Sequence, residues 1–142
     1  MELDFGVMWY HFYHILIAFT LTLPIALNRE YRATGAGLRT FPLVAIATCA
    51  FMLVGMNIYN SEEAEARVLY GIITGMGFIG GGAIFKQTGT VSGTASAAGL
   101  WVTGAIGIAV AYRRYEIALI LSFISFVIFQ FAEPVKKKTD SS

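Results

Sequence analysis

Charged side chains occur in this sequence as short clusters, and the intervals between the clusters are long and apolar. Acids and bases stand at 2–4, 29–39, 62–67, 86, 113–116 and 133–140. The intervals approach or exceed the roughly 17 residues with which a helix crosses a hydrocarbon core about 30 Å thick. The pattern predicts an all-α membrane protein with about five transmembrane helices, near residues 7–27, 41–59, 68–85, 94–111 and 117–131. A soluble helical domain would carry its charges along one face of every helix instead.

Composition agrees: 56% of the 142 residues are hydrophobic and 13% are charged, and the mean hydropathy is +0.66. A net charge of +1 without a basic stripe excludes nucleic acid as an expected partner. The one cysteine, Cys49, lies in an apolar run, has no internal partner for a disulfide and reads as a small hydrophobe. Acids at Glu2 and Asp4, where a cleavable signal carries positive charge, mark the first apolar segment as a retained helix.

Glycine dominates the third and fourth spans, at 71, 75, 77, 80, 81 and 82 and then at 99, 104 and 107. In a water-exposed helix each would cost about 1 kcal/mol relative to alanine, whereas in lipid small residues let helix backbones approach closely. The spacings Gly71 to Gly75 and Gly77 to Gly81 are both G-x-x-x-G. Spans 3 and 4 are therefore expected to form a tight pair, with Gly71, Gly75, Gly77, Gly81, Gly104 and Gly107 as packing positions. Gly75 to Gly80 also reads G-x-G-x-x-G, a dinucleotide fingerprint, but it follows no strand, has no acid about 20 residues on and sits inside a membrane-length run. No cofactor is expected.

The polar segments supply the candidate sites. Arg29, Glu30 and Arg39 fall in a turn-prone segment after the first span, where Glu30 is expected to pair with one arginine and leave the other for a partner. Glu62, Glu63 and Glu65 could attract a hard divalent cation; the plainer reading is an acidic first turn that complements the helix dipole, with Ser61 as its cap. Thr90, Ser92, Thr94 and Ser96 alternate along the link into the fourth span, so an extended link would align their hydroxyls as a solute site. The competing reading makes Ser92 or Thr94 the helix cap. His11 and His14 lie among Trp9, Tyr10 and Tyr13 and read as interfacial belt residues with water-facing polar tips. The fifth span reads as lipid-facing, and residues 136–142 read as a basic, disordered tail on a single domain of residues 1–135, its lysines drawn to anionic headgroups.

Five spans place the termini on opposite sides. With the carboxyl terminus inside, the cytoplasmic segments hold Arg29, Arg32, Arg39, Lys86, Lys136, Lys137 and Lys138, against Arg67, Arg113 and Arg114 outside. The seven-to-three bias predicts an outside amino terminus.

Three stretches, LNRE with AGLRT at 27–40, RVLYGIITGMGFIGGGAI at 67–84 and VSGTASAAGLWVTGAIGIAVA at 91–111, resemble the MgtC/SapB family of bacterial inner-membrane proteins. The resemblance implies a role in growth under magnesium limitation and survival inside host cells, as a regulator more than a pump. The family usually reads E-R-E where this chain has Asn28, Arg29 and Glu30, and V-R-G where it has Val91, Ser92 and Gly93. One acid and one base are thereby replaced. The chain also stops short of the soluble carboxy-terminal domain of several virulence-associated members.

Two functions follow as expectations. One is a non-enzymatic regulator that touches membrane lipids and other membrane proteins, with a homo-oligomer as one form. The alternative is a small oligomeric permease or ion pathway for magnesium or another small solute, although ion paths usually carry ionisable groups within the spans.

Overall fold

The computed structural model describes residues 4–32, 36–58, 61–87 and 90–139, with the backbone alone at 32, 85–87, 90–91 and 132–139. Five helices account for most of it: α1 (Phe5–Arg32), α2 (Thr40–Ile58), α3 (Glu62–Gly82), α4 (Thr94–Ala111) and α5 (Tyr115–Thr139). The protein is an all-α membrane protein. Phe5–Tyr31, Thr40–Ile58 and Thr94–Ala111 are long and apolar enough to cross a bilayer, and Tyr115–Phe131 is a shorter apolar helix. In α3, Glu62, Glu63, Glu65 and Arg67 occupy the opening turns and glycine replaces larger apolar side chains further on.

Side-chain periodicity explains the packing. On α1, His14, Ala18, Thr22, Ile25 and Arg29 follow helical steps of four, four, three and four, and all are buried. Phe41, Ala45, Cys49 and Met52 form the matching stripe on α2. Helix α4 packs on all four other helices and is the hub, burying Leu100, Thr103, Gly104, Ile106, Gly107 and Val110.

The glycines divide in a way the sequence does not announce. A Cβ on Gly107 would meet Thr48 Oγ1 and the Ala45 carbonyl, and one on Gly104 would meet the Met76 thioether, so α4 meets α2 and α3 at van der Waals distance only because these positions are bare. A Cβ on Gly71, Gly75 or Gly81 would meet nothing within 4 Å, and on Gly77 only the edge of Trp101 at 4.0 Å. The expected seam of α3 glycines against a neighbour within the chain is therefore corrected: α3 buries only Met76 and Gly80, leans on α2 and α4, and turns its G-x-x-x-G faces to open space. The tight partner of α4 is α2.

The link between α3 and α4 is extended. Phe85–Gln87 (β1) pairs antiparallel with Thr90–Ser92 (β2), Phe85 opposite Ser92. Gly93 then takes φ of 85° and occupies the amino-terminal cap position of α4, which the sequence offers to Ser92 or Thr94. Only glycine fits there, because a Cβ would strike the Ala83 carbonyl. At the other end of α4, Arg113 adopts φ of 60° and Arg114 N–H donates to the Ala109 carbonyl at 2.8 Å, reversing the chain into α5. Helix α5 then runs through Pro134 to Thr139, past residue 131, so 136–139 are helical where a disordered tail was the expectation; 140–142 lie outside the described residues. One face of α5 is exposed at Leu119, Ile120, Phe123 and Ile128, while Ala118, Ser122 and Ser125 pack inward.

Candidate functional site

The helical steps along α1 carry its stripe to Arg29, which is 6% exposed in the last turns of the helix. Its Nη2 donates to Ser96 Oγ at 2.9 Å, and its guanidinium carbon lies 5.0 Å from the centroid of the Phe129 ring. Next to it, Asn28 Nδ2 donates to Gln130 Oε1 at 2.6 Å, while Asn28 Oδ1 is buried and accepts no hydrogen bond among the described residues. The end of α1, the start of α4 and the middle of α5 thus meet around one buried cation. Desolvating a guanidinium is costly, and a hydroxyl acceptor together with an aromatic face offsets part of that cost.

The predicted loop trio is therefore not a trio. Arg29 belongs to α1 and is buried rather than exposed in a loop. Glu30 Oε2 accepts from the Leu38 N–H at 2.9 Å and so closes the turn leading into α2; among the described residues it pairs with no arginine. Arg39 is exposed, one residue before α2, at the end of a groove between α2 and α3.

The predicted hydroxyl row also separates. Only Ser96 is buried and joins the Arg29 cluster; Ser92 and Thr94 are exposed, and the Thr90 side chain lies outside the described residues. Nor does the acidic turn form a cage. Ser61 caps α3 by accepting from Ala64 N–H at 3.2 Å, Glu63 pairs with Arg67 at 2.6 Å, and Glu65 accepts from the Tyr112 hydroxyl at 3.5 Å. Among the described residues no three acids, histidines or cysteines stand close enough to hold a metal. The Tyr112 phenol is pushed above its ordinary range, first by burial and then by Glu65.

His14 is a site that sequence reasoning placed wrongly. It is 2% exposed, its Nδ1 lies 2.7 Å from the Tyr10 carbonyl and its Nε2 lies 2.9 Å from the Tyr115 hydroxyl. A carbonyl only accepts, so Nδ1 carries the proton, and in the neutral ring Nε2 accepts from Tyr115. His14 thus ties α1 to the first residue of α5, while His11 remains near the surface with Nε2 3.4 Å from Asn57 Nδ2. The signal available in the sequence was the helical spacing of His14 to Ala18, Thr22 and Ile25, which outweighs the neighbouring aromatics.

These features define a multi-pass helical membrane protein with a buried arginine, near one end of its helices, shared by three of them. The sequence pattern of the MgtC family matches residues 15–138, and the chain belongs to that family. Among similar proteins, slr0014 of Synechocystis is 38% identical over 66% of this chain and 39% of its own length. SrpB of Synechococcus elongatus is 32% identical over 80% of this chain and 69% of its own. Protein MgtC of Salmonella typhimurium is 32% identical over 83% of this chain and 50% of its own. The chain thus spans about half the length of the MgtC relative it matches. No solved structure matches it.

Proposed function

We propose that the chain is a multi-pass protein of the bacterial inner membrane, with its amino terminus outside, that acts as a non-enzymatic regulator linked to magnesium limitation or intracellular survival. Support for the magnesium link comes from the family and from YhiD of Escherichia coli, 30% identical over 113 residues and provisionally named a magnesium transporter. The observation that carries regulation over transport is Arg29. Among the described residues the charge buried between these helices is a guanidinium, which offers only N–H donors and no oxygen ligand to a divalent cation, and it contacts Ser96 and Phe129. The buried hydroxyls of Thr103 and Ser122 are likewise committed to helix carbonyls, Thr103 to Gly99 at 2.8 Å and Ser122 to Leu21 at 2.6 Å.

The permease reading draws on the YhiD name and is separated by one experiment. Purified protein in sealed vesicles, loaded with a magnesium-sensitive dye, should admit magnesium no faster than empty vesicles, while the same gene restores low-magnesium growth to a strain lacking it. Protein-dependent influx would overturn regulation in favour of the permease.

A further inference from the structure

A groove of about 710 Å³ runs between α2 and α3, away from the Arg29 cluster. Leu43, Phe51 and Val54 line it from α2 and Ile72 and Ile79 from α3, together with Gly71 and Gly75, where a Cβ would meet nothing within 4 Å. Its lining is almost wholly apolar. The hydroxyl of Thr48, one of its few polar groups, is shared between the Ala45 and Gly104 carbonyls at 3.2 Å each. At one end stands Arg39, just outside a span, exposed and without an ion pair or hydrogen bond among the described residues. A second groove of about 460 Å³ lies among α3, α4 and α5, but its arginine, Arg114, already has Glu116 at 4.0 Å.

We propose that the α2–α3 groove binds one anionic phospholipid, its phosphate at Arg39 and an acyl chain laid over Gly71 and Gly75. Charge and length select this occupant. An unpaired guanidinium at headgroup level offers a planar fork for phosphate oxygens. From residue 39 to residue 55 helix α2 rises about 24 Å, while one leaflet of a hydrocarbon core about 30 Å thick is about 15 Å deep, so a chain fits along the groove from its charged end. Water has almost no polar partner on such walls, and bilayer chains are the medium at that depth.

The test uses the full protein in phosphatidylcholine vesicles doped with a photoreactive analogue, its crosslinker on the acyl chain, of either phosphatidylglycerol or phosphatidylcholine. Phosphatidylglycerol should label α2 and α3 at least threefold more than phosphatidylcholine. Arg39→Gln should erase that preference, and Gly75→Leu, whose Cβ meets nothing within 4 Å and whose side chain takes up groove space, should lower labelling by both lipids several-fold. Gly81→Leu, equally open but outside the groove, should label as wild type, and unchanged helical content in all three variants excludes misfolding. Equal labelling by the two lipids, or full labelling of Gly75→Leu, would overturn the proposal. So would efficient disulfide dimers of Gly75→Cys in vesicles, which would give the groove to a second copy of the chain.

Discussion

A guanidinium keeps its charge at any pH the protein meets, so Arg29 joins α1, α4 and α5 through a group that cannot escape burial by losing a proton. A hydrogen bond to a charged group contributes about 1.5–3 kcal/mol and stacking on a ring about 0.5–2 kcal/mol. Lysine keeps the charge but lacks the plane that lies over Phe129 while reaching Ser96. Arg29→Lys is therefore expected to destabilise the protein by about 2 kcal/mol, read as a lowered unfolding midpoint in detergent, and to fail in low-magnesium growth although it inserts normally. Arg39→Lys, by contrast, should leave the midpoint unchanged, since Arg39 is exposed and makes no hydrogen bond or ion pair among the described residues. The burial of Arg29 was legible in one respect: it continues the steps of Ala18, Thr22 and Ile25. The sequence points to a loop there because the neighbours Asn28, Glu30 and Arg32 are polar, and Ser96 and Phe129, which make burial tolerable, lie 67 and 100 residues away.

Among the elements, α3 carries six glycines and α4 three, and the two helices differ in what faces them. On α4 the glycine side meets α2, where Thr48 Oγ1 donates towards the Gly104 carbonyl at 3.2 Å and Ala45 presents its carbonyl to Gly107. On α3 Gly71 and Gly75 face the groove, Gly77 and Gly80 face Trp101, and Gly81 faces open space. Overpacking a close contact costs about 1–3 kcal/mol, and more where the obstacle is backbone. Gly107→Leu should accordingly lower the unfolding midpoint sharply or block folding, while Gly81→Leu, open on the same criterion that closes Gly107, should change it by less than about 0.5 kcal/mol. A comparable loss at both sites would mean that α3 is covered in the membrane. The number and order of the helices were legible from charge spacing, because bilayer thickness fixes the length of a span. Which glycines touch a neighbour was not, since G-x-x-x-G records only that one face is bare and says nothing of what lies opposite. The hairpin was half legible: alternating hydroxyls at 90, 92, 94 and 96 suit an extended strand, but α4 begins at Thr94 and turns Ser96 inward.

For the whole molecule, orientation decides which leaflet meets the Arg39 end of the groove and which face meets a partner. The tally of basic residues favours an outside amino terminus by seven to three, but the rule counts residues in loops, and Arg29 is buried within α1. Removing Arg29 leaves six against three, so the bias keeps its sign. Arg113 and Arg114 argue the other way, and their weight is reduced where they serve the reversal into α5, Arg113 in the left-handed conformation and Arg114 near Glu116. The two faces can be separated by thiol labelling. Cys49 is fully buried, and replacing it with serine gives a background without a reactive thiol. In that background Glu63→Cys, in the exposed first turn of α3, should react with a membrane-impermeant maleimide added to intact cells. Leu38→Cys, exposed in the turn before α2, should react only after the inner membrane is permeabilised. Labelling of Leu38→Cys in intact cells with Glu63→Cys protected would invert the protein, put the Arg39 end of the groove in the outer leaflet, and move the search for a regulatory partner to the opposite face.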